Sequence, residues 1–384
     1  MASESLTALS DGLIFTGDAF VEGHALLIQD GNVKDIVANN SVPGEAKVIS
    51  CVDSILAPGF IDCQVNGGGN AQLNATPTPE AVITIARAHQ KHGTTRLLPT
   101  CISDTFAVMQ QAQNAVRKAR QQHAGILGIH FEGPHLNPDR RGAHSPTPLR
   151  DPTPEDLSLY QPETDEIILL TFAPERINTD QIRKLRSQGV VLSLGHTEAD
   201  PDAIHAALDA GATGFTHLFN AMGPLSAREP GPAGIALEDR NSWCGLIADG
   251  HHVSKEMVRL SLLAKPHGKV FLVTDAMAPA GSDQPKPFKL CGESIHVEGG
   301  RCLNSQERLA GSMITLSDAV RYCIKQASVE PEEALRMASA YPAAFLGLDD
   351  KFGKLLPGYT ADIVALSHDF VPKAVWVDGF LQRN

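Results

Sequence analysis

The sequence predicts an α/β protein: a (β/α)8 TIM-like barrel carrying a small β-sandwich domain built from both chain ends. Three observations predict it. Eight short apolar, β-branched runs alternate with amphipathic stretches between residues 60 and 328. Several of those stretches carry their own helix caps. The two ends instead alternate apolar and polar positions, with turn signals at Asp30-Gly31 and Pro43-Gly44.

Taken in order, residues 6–56 read as short strands, too few to make a stable sandwich alone. Residues 353–384 read the same way, so the two pieces are expected to pair. This assigns 1–57 and 353–384 to the sandwich and 58–352 to the barrel. The barrel strands are expected at 60–65, 95–99, 126–131, 167–172, 190–195, 213–217, 244–248 and 270–274. Helices are expected near 79–92, 104–122, 179–188, 201–210, 254–264 and 316–328. Thr78 is a natural N-cap with Pro79 behind it and Gly93 as a stop, and Asp200, Pro201 and Gly211 repeat the device. The stretch 221–234 reads as loop. A doubly wound sheet is the competing fold, but no glycine-rich phosphate fingerprint follows an early strand. Two long Pro-rich or charged segments, 133–165 and 276–312, are expected to be lids or binding loops.

Composition narrows the function. The chain has 384 residues, 42% hydrophobic, and a formal net charge of −12. That charge repels nucleic acid and anionic membranes, and RKAR at 117–120 is too short a basic patch to override it. No apolar run approaches the roughly 20 residues of a membrane span. The seven cysteines are odd in number and dispersed, without a CxxC pair, and the N-terminal residues lack a secretory pattern. The expectation is a cytoplasmic protein with a small-molecule partner.

In such a barrel the chemistry lies at the C-terminal ends of the strands. Gln64 and Asn66 stand at the end of strand one, His130 and Glu132 at strand three, His196 at strand five and His217 at strand six. Asp249, His251 and His252 follow strand seven, and Asp275 follows strand eight. One carboxylate and two imidazoles on neighbouring strands, Glu132, His196 and His217, make a three-ligand set for a divalent metal with one position open for water. Such a donor set accepts Zn2+, Fe2+, Co2+ or Mn2+. Asp275 is the candidate general base and acid. Its bland alternative, helix capping, is weakened by the non-helical AMAPAG that follows. His130 shares a face with Glu132 and is expected to line the barrel. Arg228 can fork onto phosphate or carboxylate oxygens, or equally pair with Glu229 or Asp239.

The motifs PGFIDCQVNGGG, HFEGPHLN, LGHTEA, THLFNAM, IADGHHV, LVTDAMAPAG and LAGS, followed by LPGYTADIV, resemble in order those of the N-acetylglucosamine-6-phosphate deacetylases of the amidohydrolase superfamily. The resemblance implies that Glu132, His196 and His217 hold the metal and that Asp275 is the catalytic base and acid. It implies that His144 helps polarise the acetamide carbonyl. Asn220 and Ala221, the latter through its backbone, match sugar-phosphate contacts; Arg228 and His252 match phosphate-recognition positions. Gln64 and Asn66 stand where the superfamily carries a His-x-His pair for a second metal, so a single Zn2+ per subunit is expected. A homodimer, with some phosphate contacts crossing the interface, follows from the resemblance alone. The rival functions are another amidohydrolase acting on a cyclic amide, and a non-catalytic metal-binding homologue. The first wants the paired histidines and a bridging lysine, which this sequence lacks.

Overall fold

The computed structural model describes residues 6–382. Its centre is a sheet of eight parallel strands in chain order: Phe60–Val65, Thr94–Ile102, Gly128–Glu132, Ile167–Phe172, Val191–Leu194, Gly214–Phe215, Trp243–Leu246 and Val270–Leu272. These strands are buried along nearly their whole length, because helices cover the outer face and side chains fill the inside. The ladder stops between the last strand and the first, yet the seam is closed. The Asp275 amide donates to the Gln64 carbonyl at 2.9 Å, Val65 bridges Ala276, and the Thr274 hydroxyl donates to Asp62 at 2.6 Å. The predicted barrel is therefore present, with strand bounds displaced by a few residues.

The caps act as their chemistry requires. Thr78 accepts from the Ala81 amide at 3.3 Å, Asp200 accepts from the Ala203 amide at 2.8 Å, and Gly211 ends its helix with a φ of 122°. One expectation needs correction. The stretch 221–234 is irregular only as far as Pro230, and Gly231–Glu238 is helical. Pro232, Ala233, Ile235, Ala236 and Leu237 are all buried there, so no polar stripe reveals the helical period.

Both ends of the described chain enter two small sheets. The larger runs Phe380–Leu381, Pro372–Val377, Ile363–Leu366, Ile55–Pro58, Leu13–Phe15, Phe20–Val21. The smaller runs Asn32–Ala38, His24–Gln29, Thr7–Ser10, Lys47–Ser50. Leu9, Ile14, Leu26, Leu56, Ile363 and Trp376 form one apolar cluster here. Residues 1–5 and 383–384 of the sandwich expected from sequence lie outside the described residues. Arg96, on the second barrel strand, ties the barrel to this region through bonds to Asp362 at 2.5 and 2.9 Å and a pair with Asp378.

The long segments are partly ordered. Within 276–312, Phe288–Leu290, Glu293–Glu298 and Arg301–Leu303 make an antiparallel three-stranded sheet. It packs Leu290, Ile295 and Cys302 on Ile102 and Met277 beside the barrel mouth. Within 133–165, a helix at Pro154–Leu159 starts with a Thr153/Asp156 capping box. Among the described residues no helix is long and apolar enough to cross a membrane.

Candidate active site

Strand ends bring Glu132, His196 and His217 to one point. Glu132 Oε1 lies 3.0 Å from His196 Nε2 and 2.9 Å from His217 Nε2, and the two ring nitrogens are 3.0 Å apart. All three residues are buried. His196 Nδ1 faces the Arg140 carbonyl at 2.8 Å and must carry the proton there, which leaves a lone pair on Nε2 in the neutral ring. Burial alone would lower the His217 ring, but the Glu132 carboxylate outweighs it and holds the ring above its ordinary value. A proton can satisfy one pair of these atoms. A divalent cation satisfies all three together, so the donor set fits a metal ion.

The backbone under these groups is strained. His196, His217 and Asp275 have φ of 51°, 30° and 50°, and Ala221 has 52°, in the left-handed region that side chains other than glycine disfavour. Each such residue costs about 1–3 kcal/mol and persists only where its surroundings enforce it, a pattern typical of functional sites.

A cavity of about 170 Å³ opens over the group, lined by Glu132, His144, His196, His217, Asn220, Ala221, His252 and Asp275 on its polar side. Ile102, Ala143, Met277, Leu290 and Leu309 line the other side. Burial and the neighbouring Glu132 raise the Asp275 carboxyl above the ordinary range. His144 Nδ1 accepts from the Ser103 amide at 3.3 Å, with the Ser103 hydroxyl 2.8 Å away. That fixes the proton on Nε2, which lies 3.8 Å from Glu132 Oε2. Burial, aided by His196, pushes the ring down to about 3, so His144 is a neutral N–H donor. His252 is oriented by Asp249, whose carboxylate meets its Nδ1 at 2.6 Å and accepts its amide at 2.7 Å.

Not every residue named at or near a strand end lines the cavity. Gln64 and Asn66 sit behind its wall, bonded to Asp275. His130 lies one strand pleat below Glu132, between the hydroxyls of Thr100 at 3.1 Å and Thr171 at 2.8 Å. Arg228 is exposed and lines a separate outer depression with Glu198, Ser226 and Pro230, and among the described residues it forms no ion pair. Neither bland pairing, with Glu229 or Asp239, is made. Asp249, placed after strand seven by the sequence, supports His252, and Ser103 is a supporting residue that the motifs miss. Ser103 stands just past the end of strand two, so extending the strand-end rule to that strand would have found it.

A parallel barrel with a carboxylate and two histidines gathered at its mouth defines a class of metal-dependent hydrolases. The amidohydrolase family model matches residues 55–381, and the chain belongs to that family. An N-acetylgalactosamine-6-phosphate deacetylase of Shewanella sp. (strain ANA-3) is 38% identical over 97% of this chain and 95% of its own length. The N-acetylglucosamine-6-phosphate deacetylase of Pasteurella multocida is 32% identical, with a TM-score of 0.95 over 99% of this chain and 100% of that one. A mutant of the Mycobacterium smegmatis N-acetyl-D-glucosamine-6-phosphate deacetylase, solved with N-acetyl-D-glucosamine 6-phosphate, is 32% identical with a TM-score of 0.89, covering 98% of this chain and 99% of that one.

Proposed function

We propose that this protein hydrolyses the acetamide of N-acetyl-D-glucosamine 6-phosphate to D-glucosamine 6-phosphate and acetate, in amino-sugar catabolism. The observation that carries it is the convergence of Glu132, His196 and His217 with Asp275 and His144 on one cavity, in a chain whose relatives are hexosamine 6-phosphate deacetylases. Glu132, His196 and His217 would hold one divalent ion per chain, Zn2+ first, with Fe2+, Co2+ and Mn2+ as alternatives. Such an ion supplies Lewis acidity, polarising a carbonyl and lowering the pKa of water.

The chain's own groups do the rest. Asp275 removes a proton from the attacking water and later delivers it to the departing sugar nitrogen, two transfers one carboxylate makes in sequence. His144, locked with its proton on Nε2 by Ser103, donates to the acyl oxygen as negative charge develops there. Asn220 and the Ala221 backbone contact the sugar, and His252, aimed by Asp249, takes the phosphate.

The exposed position of Arg228 suits a homodimer in which this residue reaches the neighbouring subunit's phosphate. The same proposal divides the chain into a catalytic barrel at 58–352 and a sandwich from 1–57 and 353–384, and places it in the cytoplasm, in keeping with seven free cysteines.

The galactosamine epimer is a second reading, favoured by the 38% identity to the Shewanella enzyme. The test is amine release from both 6-phosphates, from the unphosphorylated sugars, and after chelation. Phosphate-dependent release that chelation abolishes and zinc restores supports the proposal, and the faster epimer decides between the two substrates. No release from metal-loaded protein rejects deacetylation in favour of the cyclic-amide or non-catalytic function.

A further inference from the structure

Strand one contributes two side-chain amides where a pair of imidazoles would supply metal ligands, and their hydrogen bonds show another use. Gln64 Nε2 donates to Asp275 Oδ1 at 3.1 Å and to Glu132 Oε1 at 3.1 Å. Asn66 Nδ2 donates to the same Asp275 Oδ1 at 2.6 Å. Gln64 is 2% exposed and Asn66 0%, so water does not compete for these bonds. The backbone reinforces them: the Asp275 amide donates to the Gln64 carbonyl at 2.9 Å, and the Asp275 carbonyl accepts from Ser312 at 3.0 Å. Asp275 Oδ1 is thereby held by two donors, while Oδ2 receives none among the described residues and Asp275 lines the cavity.

An amide NH2 donates and carries no charge, so it neither competes for a cation nor titrates. A neutral imidazole in the same place would offer a lone pair to a cation and only one N–H to donate. A carboxylate acting as a base needs one oxygen aimed at the proton, and holding the other oxygen enforces that aim.

We propose that Gln64 and Asn66 are positioning residues that clamp Oδ1 of Asp275, leaving Oδ2 alone to exchange protons with water and with the leaving nitrogen. Gln64, bridging Glu132 and Asp275, also sets the spacing between the metal-holding group and the base. The proposal rests on the reading of Asp275 as the proton shuttle.

The test uses metal-loaded Asn66→Leu and Gln64→Met, which keep size but remove the donors. Each is compared with wild type for kcat, KM, bound metal per chain and the crystallographic orientation of the Asp275 carboxylate. The expected result for Asn66→Leu is a roughly 10- to 100-fold loss in kcat, as for other small misplacements of a reacting group. KM should stay within about twofold, metal content at the wild-type level, and the Asp275 carboxylate should be turned or split between orientations. Gln64→Met gives the same signs with a smaller loss and carries the test alone should Asn66→Leu fail to fold. Unchanged kcat, an unmoved Asp275, or a loss of activity that added metal fully restores would each overturn the clamp. If wild type itself releases no amine, the deacetylase function fails instead, and the Asp275 orientation in the variant crystals still decides the clamp.

Discussion

Among the described residues two groups bring one histidine or more and at least one glutamate into ligand-like reach, with donor atoms within 4.8 Å of one another: Glu132, His196 and His217 in the barrel, and His296, Glu298 and Glu307 on the three-stranded insertion. By residue type they look alike. They differ in what stands behind them. In the barrel group the far nitrogen of His196 is held by a backbone carbonyl at 2.8 Å, and every member is buried. In the insertion group the side chains are 43%, 65% and 71% exposed, and His296 meets its two glutamates only at 3.8 Å each. Held and dehydrated lone pairs cannot relax into water, so they make a site; solvated ones make a surface.

The largest effect that would sharpen this contrast is removal of the metal. Chelation, or His196→Ala, should abolish measurable amine release and lower the bound metal to background, read by elemental analysis. Retained metal in His196→Ala would break the assignment. Next is Asp275→Asn, which should cut kcat about 10²- to 10⁴-fold while metal content stays at the wild-type level; near-normal turnover would remove Asp275 from the mechanism.

Arg228→Ala should raise KM about tenfold or more, with little change in kcat, as expected for a charged hydrogen bond to a phosphate. Mixing it with Asp275→Asn should recover activity if Arg228 serves the neighbouring subunit, because each mixed dimer then holds one intact site. Absence of recovery in confirmed mixed dimers would confine Arg228 to its own subunit.

A smaller effect concerns pH. Burial pushes His89 and His135 from 6.5 down to about 4. His89 donates to the Gly67 carbonyl at 2.9 Å, and His135 sits between the Arg150 carbonyl at 2.9 Å and the Tyr160 hydroxyl at 3.0 Å. Between those values the unfolded chain binds protons that the native rings refuse, so native stability is full above 6.5 and is lost as pH falls toward 4. Thermal denaturation across that range should show a shallower decline in the His89→Gln/His135→Gln variant than in wild type. An equal slope would mean these rings do not contribute.

The smallest effect is assigned to the insertion. Replacing His296, Glu298 and Glu307 together by alanine should leave kcat, KM and bound metal unchanged within error. A lost equivalent of metal would overturn the distinction between the two groups.

Much of the fold was legible because a parallel strand buried on both faces writes a plain apolar run, and a capped helix writes Thr-Pro or Asp-Pro before it. The helix Gly231–Glu238 was not legible, since its less buried face is carried largely by Gly231 and Gly234, which leave no polar stripe to mark the helical period. The gathering of Glu132, His196, His217 and Asp275 on one cavity followed from reading strand ends in a barrel. What no strand-end rule supplies is orientation. The bond from Gln64 to Asp275 joins residues 211 positions apart, and its direction depends on which atom of an amide faces inward. Arg228 shows the same limit: its guanidinium allows a phosphate contact, while its place on a depression outside the cavity is set by the loop.

The strand Ile55–Pro58 has Leu13–Phe15 on one side and Ile363–Leu366 on the other. A ribosome delivers these partners some three hundred residues apart, so the early strands leave the exit tunnel with one edge bare and wait while the whole barrel is translated. That sheet closes only once Ile363–Leu366 has been made, and a chain that stops short of Ile363 carries an open strand edge, and such edges recruit other chains.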